Sequence, residues 1–126
     1  MSTQLEPKIQ SFKSSGVIAP NTFVKFGATK DLVAACGLNE RAIGIAQNNA
    51  NTADGDSVEV VVAGGAKLKC AETIALGKFV TSTAAGLGEV ADAAGEWVGA
   101  IAMEDGLVND IIGVRIEGFQ AVASDA

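Results

Sequence analysis

Val58-Glu59-Val60-Val61-Val62-Ala63-Gly64 and Ile112-Gly113-Val114-Arg115-Ile116-Glu117-Gly118 are two readings of one pattern, fifty-four residues apart (58 to 112). Each is rich in β-branched residues and closes on a glycine, which reads as a strand running into a turn. Outward from these runs the likeness continues. Phe23-Val24 returns as Phe79-Val80, a shift of 56, and Ile43-Gly44 returns as Val98-Gly99, a shift of 55. A drift of two residues fits loop trimming inside a duplicated β-unit. The expectation is one domain over 16–121, built from two similar units at about 22–66 and 78–121.

Between these landmarks the chain offers short apolar runs punctuated by turn signals. In Phe23-Val24-Lys25-Phe26, residues 23 and 25 share one face and residues 24 and 26 the other. Runs at 32–36, 42–46, 66–71, 78–82, 89–91, 97–103 and 111–119 follow, with a polar loop over 47–56 that ends in Asp54-Gly55-Asp56. Only 71–76 and 91–94 have helical character, for a turn or so. Strands at this spacing predict an all-β barrel or sandwich. Residues 1–15 are polar, with spaced Leu5, Ile9 and Phe12 and with Pro7, and read as an extended N-terminal arm that seeks a partner. Residues 122–126 read as a tail.

A chain of 126 residues is expected to bury about 65 to 70% of its unfolded surface. Its core must be made of small residues, because five Phe and one Trp are the only aromatics and 15 residues are Gly. At about 25 cal/mol per Å² of apolar area, such a core gains from association, so a homo-oligomer is expected, with Trp97 as the interface candidate. The net charge of −6, from 9 basic and 15 acidic residues, repels phosphate backbones and argues against nucleic acid. No apolar run approaches the length of a membrane span, and residues 1–8 lack the apolar core of a signal peptide. The expectation is a product made in the cytoplasm with no membrane partner.

The inventory of reactive groups is short. Without His or Tyr, a Ser-His-Asp or Cys-His site cannot be assembled. No catalytic residue, cofactor or metal site is expected, and the chain does not read as an enzyme. Cys36 and Cys70 read as reduced, buried small hydrophobes, with a disulfide as the alternative. Asp54 and Asp56 offer hard oxygens for Ca²⁺, but the position that should carry a bidentate Glu is Val61, so a solvated turn is the better reading. Ala102-Met103 before a turn is similar to the modified hairpin of lipoyl and biotinyl carrier domains, but Glu104-Asp105-Gly106 follows and no Lys is there to be modified.

Taken together, several stretches carry a family likeness: Ala42-Ile43-Gly44-Ile45-Ala46, the run from Asp54 to Gly64, Ala75-Leu76-Gly77-Lys78-Phe79-Val80, Val98-Gly99-Ala100-Ile101-Ala102 and Ile111-Ile112-Gly113-Val114-Arg115-Ile116. In these the chain resembles the head decoration, or capsid cement, proteins of tailed bacteriophages. The resemblance implies a small β-barrel or β-clip-like domain that assembles as a homotrimer on the outer surface of the expanded head. It implies the major capsid protein as partner and a location on the virion, where a multivalent clamp resists internal DNA pressure. Leu5, Pro7, Ile9 and Phe12 of the arm are the capsid-contact candidates. The alternatives are another virion β-module, such as a tail-tube or head-fibre component, and a β-clip-type enzyme or ligand-binding domain.

Overall fold

The computed structural model describes residues 7–29, 31–38, 40–47, 52–91 and 96–120, none of them helical. The strands are β1 (Lys8–Ser14), β2 (Phe23–Phe26), β3 (Leu32–Ala35), β4 (Gly44–Ala46), β5 (Ser57–Ala63), β6 (Gly65–Lys69), β7 (Phe79–Ser82), β8 (Gly88–Val90), β9 (Trp97–Ala102) and β10 (Ile111–Gln120). The first five close a barrel in the order β1-β3-β2-β4-β5, and the last five form a sheet in the order β6-β10-β9-β7-β8. The expected all-β class is what the chain adopts.

Because β1 also pairs with β5, the closed ring reads β1-β5-β4-β2-β3 in the other direction, and adding five to each strand gives the sheet order, so the duplication extends to topology. Register follows. Phe23 faces Ile45 and Val24 faces Gly44 in the first unit, while Phe79 faces Ile101 and Val80 faces Ala100 in the second. This corrects one equivalence: Gly44 corresponds to Ala100, and the Ile-Gly and Val-Gly dipeptides are a one-residue coincidence of composition. Loop geometry repeats as well. Asn21 and Gly77 both take positive φ, 59° and 85°, and their N–H groups donate to Ala46 O and Ala102 O.

The register also moves the start of the first unit. Residues Lys8–Ser14, expected in a free arm, instead form β1, antiparallel to β5 and parallel to β3. They are the counterpart of β6, which pairs with β10 in the same way. The parallel contact of Ser14 with Val33 that closes the barrel has its counterpart in an isolated parallel bridge between Cys70 and Gly88. The second sheet therefore repeats the barrel's strand arrangement, and one isolated bridge links its two ends at that seam. The segment hid because only Phe12 and Ser14 of β1 turn away from solvent. Backbone pairing, which leaves no apolar alternation, positions this strand. Pro7 stands just before it, where a missing N–H costs no ladder bond.

Packing joins the two units. Ile18, Val24, Val33, Ala46, Val58 and Val60 fill the barrel. A larger cluster sets Phe23, Cys36 and Ile45 of the first unit against Leu68, Cys70, Val80, Ala100 and Ile112 of the second. Residues 71–76, read above as having helical character, carry instead an isolated antiparallel bridge from Ile74 to Gly106.

Candidate partner-contact surfaces

Of the four arm residues expected to grip a partner, Leu5 lies outside the described residues. Phe12 is half-buried, packs on the barrel core, and meets Phe26 edge-on at 6.2 Å between ring centroids. It is thereby taken up by the fold, because β1 turns it inward. Pro7 and Ile9 border an open groove of about 580 Å³ between the barrel and the second sheet. Ile9 is 51% and Met103 47% exposed there, and Val61, Ala66 and Val114 line its floor.

One wall of this groove is the outer edge of β6. A free strand edge invites pairing with other chains, and here a side chain covers it. Gln47 donates from Nε2 to Lys67 O at 3.1 Å and accepts from Lys67 N–H at Oε1, 3.4 Å away. The amide thus satisfies both backbone groups of Lys67, as a further strand would. Sequence reading missed Gln47, since nothing marks a lone Gln at the start of a polar loop as an edge cap.

A second cleft, of about 750 Å³, lies between the units and is bordered by Phe26, Glu40, Arg41, Val62, Ile116 and Glu117, among others. Lys25 Nζ donates to both Glu40 oxygens at 2.7 Å, and Glu40 Oε1 accepts from Gly37 N–H. The Lys25 hydrogen bond, followed by the Gly37 N–H, holds the Glu40 carboxyl below its ordinary value. Trp97, the expected oligomer contact, is half-buried with the Arg41 guanidinium 5.2 Å from its ring centroid. Arg41 lies just before β4 in the first unit and Trp97 begins β9 in the second, so this contact ties one unit to the other.

The remaining candidates lie away from these surfaces. Cys36 and Cys70 are free and buried, and burial pushes both thiols up. The disulfide alternative is therefore not realised. Asp54 Oδ1 accepts from Gly16 N–H at 2.7 Å and Asp56 Oδ2 from Ala53 N–H at 2.8 Å, so each carboxylate caps backbone at the turn. Among the described residues, no three Cys, Asp or Glu side chains gather as metal ligands would. The end of the second unit exposes Leu76, Leu107 and Val108, three large aliphatics that a single-strand reading of pattern had no reason to single out.

No protein-family profile and none of the curated proteins matches this chain. Among solved structures, the N base of the head fibre protein gp8.5 of bacteriophage phi29 superposes with a TM-score of 0.71 at 13% sequence identity. The match covers 89% of this chain and 95% of that one. At that identity the likeness is one of fold, and it extends over both units: the chain is built like the base of a phage head fibre.

Proposed function

We propose that the chain is a structural protein of a tailed-phage virion, associated with the head and built as the base of a head appendage of the fibre type. The observation that carries this reading is the superposition on the phi29 head-fibre base across nearly all of both chains. The sequence motifs independently resemble head decoration proteins, which supports the same head-associated reading. The structural likeness favours a fibre base over a cement protein.

On this reading the chain works by holding. The shared core makes the two units one rigid block, and a rigid base transmits load to whatever it sits on without spending binding energy on its own ordering. Neither turnover nor a cofactor enters. The expected homotrimer and the contact with the major capsid protein belong to this proposal too. A second reading, a cement protein over the whole head, rests on the sequence motifs quoted above.

The test is fractionation. Virions of the phage that encodes the chain are separated into heads and tails, and each fraction is analysed by quantitative mass spectrometry. The proposal expects the chain with heads, at a copy number well below that of the shell protein. Recovery with tails, or absence from virions, would overturn it, and a copy number in a fixed ratio to every shell subunit would favour cement.

A further inference from the structure

The two units build the same turn at one end and dress it differently. In the first, Ala53 N–H donates to Asp56 Oδ2 at 2.8 Å, Gly55 has φ 87°, and Gly55 N–H donates to Ser14 O at 2.8 Å. In the second, Leu107 N–H donates to Asp110 Oδ2 at 2.9 Å, Asn109 has φ 71°, and Asn109 N–H donates to Cys70 O at 2.8 Å. The turn in the first unit closes with Ala53 and Asp54 on it and Pro20 on the loop beside it. At the corresponding positions the second unit carries Leu107, Val108 and Leu76, which are 64%, 54% and 64% exposed.

The first unit is thus an internal control. It shows that the fold does not need large aliphatics here, and exposed aliphatic surface confers no stability on a chain in water. The reverse exchange occurs once, at Val17 against Thr73. Leu76 and Leu107 are held at one end of the unit, because the Ile74–Gly106 bridge joins their segments and Leu76 N–H donates to Asp105 Oδ1 at 2.7 Å. Two exposed carboxylates stand beside them: Asp105, which takes the Leu76 N–H, and Asp110, which takes the Leu107 N–H.

We propose that this apolar, acid-rimmed tip is the surface by which the chain docks on a protein of the head, into an apolar recess bordered by Lys or Arg. The inference rests on the head-associated reading above and adds which end of the domain meets the partner. Charge selects the occupant. A second copy would bring a net −6 and the same two carboxylates to the tip, whereas a basic-rimmed partner turns that repulsion into attraction.

The test uses heads that lack the chain, from a phage in which its gene is deleted, and the full-length purified protein. The variant Leu76→Ser/Leu107→Ala/Val108→Asp carries the first unit's residues at 107 and 108 and keeps the N–H at 76. Val17→Ser is the control at the other tip. Circular dichroism first confirms that all three proteins melt alike. Wild type and Val17→Ser are expected to bind heads equally, and the triple variant at least about tenfold more weakly, a loss of about 1.4 kcal/mol. Equal binding by all three would overturn the tip as the docking surface and leave the head-associated reading standing. Failure of wild type to bind heads would overturn both. A wild type that sediments as an oligomer, with the triple variant monomeric, would assign the tip to a second copy and overturn the partner proposed here.

Discussion

Gly99 is the seat of Phe23: a Cβ built on Gly99 would stand 2.6 Å from Phe23 Cε1 and 3.0 Å from Cζ. Phe23 belongs to β2 of the first unit and Gly99 to β9 of the second, so the largest fully buried side chain of one unit rests on the bare backbone of the other. Phe23 N–H also donates to Gly86 O at 2.8 Å, which fixes the strand that carries the ring. The units cannot separate without uncovering this contact.

The junction therefore sets stability. Gly99→Ala is expected to cost about 1 to 3 kcal/mol, the usual range for an extra methyl in a filled core, and Phe23→Ala about 3 to 5 kcal/mol. Chemical denaturation followed by Trp97 fluorescence measures both. Because the two residues touch, combining Gly99→Ala with Phe23→Leu should cost less than the two single changes added. Strict additivity would show that the ring does not press on Gly99.

Wild type should unfold in one transition, with circular dichroism and Trp97 fluorescence coincident. The larger core cluster draws on both units, so opening either one uncovers apolar surface of the other. Two resolved transitions would contradict this.

Deleting residues 1–13 should abolish cooperative folding. The deletion removes β1 up to its last residue, and with it the pairing to β5 and β3 that closes the barrel. The buried Val58 and Val60 of β5 would lose the strand beside them. Thermal melting by circular dichroism checks this; a truncated chain that melts like the full one would show that β1 is dispensable.

How much of this was legible in the sequence follows from where side chains alternate. The duplicated strands at 58–63 and 112–116 announce themselves because β-branched residues repeat there, and the all-β class follows. Strand β1 did not, because Lys8, Gln10, Ser11 and Lys13 are exposed and its place is fixed by backbone bonds to β5. The cleft and groove were invisible for a related reason: each lies between units, and no local pattern reports the distance from Arg41 to Trp97. Leu76, Leu107 and Val108 could have been found by laying the two copies side by side, as departures from an otherwise shared turn.

Two titrations should frame the pH range of stability. Glu40 is held below its ordinary value of 4.5 by Lys25 and then Gly37, so its contribution is present above that value and lost as pH falls through the lowered one. Glu40→Gln should flatten the acid limb of a plot of Tm against pH. Cys36 and Cys70 are raised above 9.0 chiefly by burial, so the folded state holds their protons more tightly than the unfolded chain. Their contribution is complete below that value and lost as pH rises beyond it. The double change to Ala should remove that alkaline decline while costing about 1 to 3 kcal/mol at neutral pH. In native protein, both thiols should resist a disulfide reagent until denaturant is added.

The central claim, that this duplicated barrel is a head-associated base, is tested most directly by cryo-electron microscopy of intact virions beside virions from a phage lacking the gene. The account predicts difference density at discrete positions on the outer surface of the head, into which the two-unit block fits with the end bearing Leu76, Leu107 and Val108 toward the shell. Difference density confined to the tail, or none on the virion at all, would contradict it.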